Sequence, residues 1–450
     1  MVLLKDILHG ENEFSNQDTA HKDAVVPAYS NDLFRIAARA LLSQGVGDGE
    51  PVHVSWVPAR IEVLGKHTDY AGGKSLLAAL RRGFAFIVHK NRSNELRILD
   101  AGSNQQIVID LENQSLQTPY SWGVYVQAVL DRVRLNFGRV AIGGTICMIG
   151  NIPPSAGMSS SSALITGLFL SLRALVSFDS HQAYRDNIQS NLQLADYLGH
   201  VENGQTYRDL AGDKGVGTFG GSQDHTAIIS SKEGALRLFS FRPTQWIDEV
   251  ALPAGYSFVI GSSGVQAEKT GAARDQYNRC AMLVQQILLN ERINPGGRFH
   301  SLGNLIAGEG FDVEDACMHL KACEDGDSLS KRLYQCVQET SVIIPGAMDA
   351  LKNDDLPRFG RLVARSHQLA DTHLNNQVPE TNYLVHIAQS LGASACSAFG
   401  AGFGGSVWAL VETASASMFK AEWKKRYLQR FPQWQERSAF FEDQTGQAAK

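Results

Sequence analysis

One segment, Asn151-Ile-Pro-Pro-Ser-Ala-Gly-Met-Ser-Ser-Ser-Ser-Ala-Leu, constrains this chain more than any other. It follows a strand-like run from Gly144 to Ile149 and opens a long apolar, helix-like stretch that continues through Leu175. Gly157 permits a tight backbone turn, and the serines place hydroxyls where the first N–H groups of a helix lack partners. A strand, a Gly/Pro/Ser loop and a helix N-terminus together suit a polyphosphate. No lysine follows the glycine, so the loop is not G-x-x-x-x-G-K-[ST] and a Walker-type ATPase is disfavoured. Serines also cap ordinary helices, but four in a row after Pro-Pro-Ser-Ala-Gly exceed what a cap needs.

With 450 residues, the chain is about three times the usual single-domain length, which predicts two lobes and a cleft between them. Asn31 to Gln44 reads as a helix. Strands are expected over Pro51 to Leu64, Phe84 to His89, Leu96 to Asp100 and Gln106 to Leu111, and a hairpin over Ile228 to Phe241. Tyr256 to Gly261 reads as a strand opening a mostly helical second half, with helices over Thr270 to Asn290, Ser328 to Thr340 and Leu356 to His373. A glycine turn and strand close it over Ala398 to Val411. The expected lobes are therefore 1–245 and 246–450, and residues beyond Glu436 read as a frayed tail.

Charge excludes some partners. Lys plus Arg number 41 against 46 Asp plus Glu, a net charge of −5 with no long run of either sign, so neither nucleic acid nor an acidic membrane is an expected partner. The six cysteines lie far apart without a C-x-x-C pair, which predicts reduced, mostly buried thiols. Met1 to Asn12 lacks the pattern of a secretory signal. The apolar run from Ala163 to Val176 contains Arg173 and is too short for a bilayer, so a cytoplasmic location is expected.

The serine-rich loop resembles the P-x-G-x-G-L-S-S-S motif of the GHMP kinases. Ala59-Arg-Ile-Glu-Val-Leu-Gly-Lys-His-Thr-Asp-Tyr is similar to the galactokinase signature G-R-x-N-x-I-G-E-H-x-D-Y, and Gly400-Ala-Gly-Phe-Gly-Gly resembles the family's C-terminal turn. Three motifs in family order, over most of the chain, imply the galactokinase-like branch. The fold that this implies is α+β and two-lobed, with a ribosomal-protein-S5-like N-terminal lobe and a ferredoxin-like C-terminal lobe. The activity it implies is ATP- and magnesium-dependent phosphorylation of a sugar hydroxyl, the anomeric one.

The resemblance also assigns roles. Gly221-Ser-Gln-Asp-His is similar to a G-x-x-D-Q segment, making Asp224 the base or orienting carboxylate, with Arg60 beside it to hold its ionised form and stabilise the phosphoryl oxygens. ATP is expected on Pro154, Ser155, Ala156, Gly157, Met158, Ser159, Ser160, Ser161, Gly402 and Gly404. Magnesium is expected on Ser161 and Glu202, since hard oxygen ligands suit it. Glu62, Lys66, His67 and Asp69 are the expected sugar contacts.

The chain departs from the family where Lys66 replaces a glutamate and Glu62 an asparagine. A lysine there either pairs with a substrate carboxylate or loses the contact, so the acceptor to test is a uronic acid or another modified sugar as well as galactose. Two further readings stay open: a kinase for another alcohol, such as a heptose phosphate or mevalonate, and a catalytically silent sugar and ATP sensor. Oligomeric state is not readable from the sequence.

Overall fold

The computed structural model describes residues 1–10, 26–112, 116, 118–139, 142–153, 156–266 and 271–450. Among them, eight strands form one sheet: β1 (Val2–Leu3), β2 (Pro51–Leu64), β3 (Lys74–Lys90), β4 (Glu95–Asp100), β5 (Gln105–Asp110), β6 (Gly144–Gly150), β7 (Ala235–Ser240) and β8 (Gln245–Ala251). The order is β1-β2-β3-β6-β4-β5, with β7 on the first part of β3 and β8 on β7. Four strands form a second, antiparallel sheet in the order β10-β11-β9-β12: β9 (Tyr256–Ser262), β10 (Ala395–Phe399), β11 (Ser406–Glu412) and β12 (Ala439–Asp443).

The helices that matter to the site are α1 (Asn31–Ser43), α2 (Gly123–Phe137), α3 (Ser160–Val176), α4 (Asn191–Asn203) and α5 (Gln223–Ser230) in the first half. In the second half they are α6 (Gly271–Leu289), α7 (Gly326–Val337) and α8 (Leu356–Leu369). A helix as apolar as α3 must be covered on nearly every side, and Leu164, Ile165, Leu168, Phe169 and Leu172 are indeed buried between the first sheet and helices α2 and α4. Strand β2 serves two cores. Val52, Val54 and Trp56 pack on α1, whereas Ala59, Ile61, Val63 and Leu64 join Phe258, Ile260, Trp408 and Leu410 of the second sheet. The far end of β2 thus lies at the lobe junction, where the signature begins.

Several expected boundaries move. β3 begins at Lys74 instead of Phe84, and Ile228 to Ser230 end α5, so the hairpin is β7–β8. The expected lobe division falls inside β8. Helices α7 and α8 each pass into a wider turn, Gln338–Ile343 and Ala370–Leu374. The largest correction concerns the expected frayed tail. β12 pairs with β9 from Ala439 opposite Ser262 to Asp443 opposite Phe258. The chain then returns to the first sheet, where Arg81 N donates to Gln444 O (3.2 Å) and Gly446 N to Ala79 O (2.8 Å). Trp56 and Lys450 exchange two backbone hydrogen bonds (2.9 and 3.0 Å). Free backbone groups along β2 and β3 need partners, and these residues supply them.

Candidate active site

A cavity of about 700 Å³ opens where β2, the turn after it, α3, α5 and the Gly400 turn converge. Side chains two apart on a strand share a face, so Arg60 and Glu62 both line it, and register shifts in the β2–β3 pairing flank the two residues. Arg60 Nε donates to Asp224 Oδ1 at 2.7 Å, and its Nη1 donates to Gly157 O at 2.8 Å. Its guanidinium also lies 5.7 Å from the centre of the Phe399 ring. One buried arginine thereby ties β2 to the first turn of α5, the serine loop and β10. Asp224 keeps 22% of its side chain exposed, and it faces the cavity.

The turn between β2 and β3 carries His67 and Asp69. His67 adopts a left-handed backbone at φ 57°. Its Nε2 lies 3.0 Å from Ala401 O, which can only accept, so Nε2 carries the hydrogen and Nδ1 accepts from Tyr70 Oη at 2.7 Å. Burial and the nearby Arg332 push the ring's pKa down to about 4, so the imidazole is neutral at neutral pH. Asp69 accepts from Gln223 N at 3.2 Å, and burial raises its carboxyl above the usual range. A Cβ on Gly221 would stand 2.5 Å from Asp69 Oδ2, so only glycine fits there.

Lys66 does not reach this cavity. Its side chain is 1% exposed and turned into the lobe junction, with Nζ 3.7 Å from Glu62 Oε1 and 3.5 Å from Ser366 Oγ. The expectation that Lys66 touches substrate, and with it the basis for a substrate carboxylate, is corrected by the fold. The turn is gripped from α7 and its extension. Gln335 Nε2 donates to Lys66 O (3.1 Å), Arg332 Nη2 to His67 O (2.5 Å), and Gly65 N to Glu339 Oε1 (2.8 Å).

Of the serine loop, Gly157, Ser159, Ser160 and Ser161 line the cavity, whereas Ala156 and Met158 turn into the core beneath it. Pro154 and Ser155 lie outside the described residues. Ser159, left-handed at φ 60°, holds a buried hydroxyl with no hydrogen-bond partner among the described residues, suited to a phosphate oxygen. Gly400 and Ala401 form the opposite wall. Gly402 and Gly404 do not: they approach Asn376 and Val265 instead. A Cβ on Gly400 would meet Gly157 O at 2.7 Å and Arg60 at 3.1 Å, which explains a glycine where the two turns touch.

Among the described residues, no group of three His, Cys, Asp or Glu side chains makes a metal site. Ser161 Oγ donates to Glu202 Oε1 at 3.2 Å beside the loop, and both residues line the cavity. Two hard oxygens fit magnesium, which draws its other ligands from phosphates and water. The other carboxylate oxygen of Glu202 is fixed by Ser162 Oγ (2.7 Å) and His225 Nε2 (3.0 Å).

Two family models match the chain: the galactokinase galactose-binding signature over residues 45–90, and the GHMP kinase C-terminal region over residues 347–429. The galactokinase of Clostridium beijerinckii is 25% identical over 390 residues, covering 84% of this chain and 90% of that protein. The galactokinase of Exiguobacterium sibiricum is 26% identical, covering 82% and 86%. The chain is a galactokinase-like GHMP kinase. Its fold matches the crystal structure of Lactococcus lactis galactokinase complexed with galactose at a TM-score of 0.72, with 21% identity, over 91% of this chain and 98% of that one.

In this GHMP kinase, several cavity residues escaped the sequence reading. Phe84, Trp122, Tyr125, Met148, Ile152 and Leu164 give the cavity an apolar slot in its lining. They come from β3, β6, α2 and α3 and, for Trp122 and Ile152, from the residues just before α2 and just after β6, so no single segment announces them. Tyr277 of α6 reaches the wall near His67, 5.4 Å between ring centres. Gln223, next to Asp224, bridges Glu62 (2.8 Å) and Ser75 (3.0 Å); its position beside the expected carboxylate was the one available signal.

Proposed function

We propose that this chain transfers the γ-phosphate of ATP to the anomeric 1-hydroxyl of galactose or a close relative, yielding the sugar 1-phosphate and ADP. The observation that carries this reading is the Arg60–Asp224 pair, set 2.7 Å apart between the signature turn on one side and the serine loop on the other. The galactokinase relatives and the complexed fold neighbour support it, as does a cavity large enough for a nucleotide and a sugar together.

The sugar lies against Asp69, His67 and Tyr277, with its reacting hydroxyl at Asp224. The apolar slot takes the adenine, and Ser159, Ser160 and the N-terminus of α3 take the phosphates. Asp224 accepts the hydroxyl proton as the sugar oxygen bonds to the γ-phosphorus and the bond from that phosphorus to the bridging oxygen of ADP breaks. Arg60, fixed on Gly157 O, holds Asp224 in place and offers positive charge to the transferring group. Magnesium held by Ser161 and Glu202 would neutralise phosphate charge in a cavity where Arg60 is the one lysine or arginine among the described lining residues.

The test is ADP release with ATP and magnesium against galactose, arabinose, mevalonate and the uronic acids, with Asp224→Ala as control. Turnover of a sugar that the control loses supports the proposal. ADP release that is independent of acceptor, or fastest with mevalonate, overturns it.

A further inference from the structure

Glu62 and Lys66 look like an ordinary pair spaced by four residues, yet they face different places. Glu62 belongs to the cavity wall beside Asp69 and Gln223, whereas Lys66 stands behind it in the junction with the second lobe. Glu62 Oε2 accepts from Gln223 at 2.8 Å; Oε1 has no hydrogen bond among the described residues and lies 3.7 Å from the Lys66 ammonium. The groups facing Glu62 are Lys66 and Arg60 from β2 and its turn, Gln223 from α5, and Glu339 from the extension of α7. Burial raises the Glu62 carboxyl above the usual range and Glu339 adds to this, while Lys66 is the strongest opposing influence. Ser366 Oγ, 3.5 Å from Lys66 Nζ, itself donates to Glu339 at 2.9 Å, so the ammonium is held from the second lobe.

Among the described lining residues, charge has one prevailing sign. Glu62, Asp69, Asp100, Glu202 and Asp224 line it, against Arg60, which is already bound to Asp224 and Gly157. Resting on the sugar-kinase proposal above, we infer that Glu62 is an ionised, acceptor-facing carboxylate whose charge Lys66 fixes from inside the lobe junction, and that the pair selects an uncharged sugar over an anionic one. An ionised Glu62 accepts hydrogen bonds from sugar hydroxyls. A carboxylate on the substrate would instead meet Glu62, Asp69 and Asp224, where Arg60, already bound, is the one lysine or arginine among the described lining residues. Lys66 touches no substrate; it is a positioning residue.

The experiment is acceptor kcat and KM across about pH 5 to about pH 9 for the wild type, Lys66→Met, Glu62→Gln and the double variant. The wild type is expected to reach its lowest acceptor KM at a lower pH than Lys66→Met, and to favour a neutral sugar over its uronate by about a hundredfold in kcat/KM. Without Lys66 the strongest influence that lowers the Glu62 carboxyl is gone, so Glu62 keeps its proton to higher pH. Lys66→Met is then expected to raise acceptor KM about tenfold with little change in kcat, and that KM falls as pH rises and Glu62 ionises. The double variant loses this pH dependence. Glu62→Gln narrows the neutral-to-uronate ratio by about tenfold, and it carries the test if Lys66→Met fails to fold. A Lys66→Met profile parallel to the wild type, or a wild type that prefers the uronate, overturns the inference while leaving the sugar kinase intact. A wild type that phosphorylates no sugar overturns both.

Discussion

Arg60 and Lys66 leave the same strand and turn, each beside a carboxylate, and they end in opposite surroundings. Arg60 meets Asp224 at 2.7 Å at the cavity; Lys66 meets Glu62 at 3.7 Å with both side chains 2% exposed or less. The planar fork of arginine can hold a carboxylate and a carbonyl at once, which suits a joint between elements. A compact ammonium at the end of a flexible stem needs only to reach its charge, and it can do so from behind a wall. A pair open to a cavity is available for chemistry. A pair closed off from water pays a desolvation penalty for both ions, so its value lies in fixing a neighbour's charge more than in stability.

The comparison breaks first at the open pair. Asp224→Ala is expected to lower kcat about a thousandfold with an unchanged thermal melt, and a loss under tenfold would remove Asp224 from the reaction. Arg60→Lys keeps the charge but loses the fork, and kcat is expected to fall about a hundredfold; near-wild-type rates would mean that charge alone suffices.

A third pair sharpens the contrast away from the reaction. Arg82 Nε lies 3.6 Å from Asp443 Oδ2 at the lobe junction, and burial pushes the Asp443 carboxyl from 3.8 up to about 6. Between those two values the unfolded chain releases a proton that the folded chain retains, so stability falls as pH rises and stays lower above about 6. Asp443→Asn keeps an oxygen for Arg81 N and is expected to gain on the wild type by on the order of 2 kcal/mol between acid and neutral pH, measured by urea unfolding. Equal slopes for the two proteins would contradict the burial account. The smallest effect is expected at Glu202→Gln, which should raise the magnesium concentration for half-maximal nucleotide binding about tenfold, read by calorimetry. An unchanged magnesium dependence would move the metal elsewhere.

Short-range chemistry was the legible part. Helix α1, strand β2, the serine loop and α3 follow from periodicity and turn residues; the signature named Arg60 and Asp69, and the Gly221 segment named Asp224, because each sits in a motif contiguous in sequence. What pairing decides was not legible. Ala439–Asp443 is a short, partly acidic stretch whose strand character comes from β9, far back in the chain. Lys66 has the polarity of a surface residue, and only the approach of α7 and α8 shows that it is buried. The apolar slot is drawn from four elements and the residues beside them, so its residues read as ordinary core positions. Gly402 and Gly404 share a motif with Gly400, and backbone contacts alone separate their roles.

The central claim is that Asp224 delivers the anomeric hydroxyl of a sugar to the γ-phosphate. Phosphorus NMR of the reaction with galactose tests it most directly. A product resonance coupled to the anomeric proton, absent with Asp224→Ala, is the expected result. Phosphate on another carbon, or inorganic phosphate as the sole product, would contradict it.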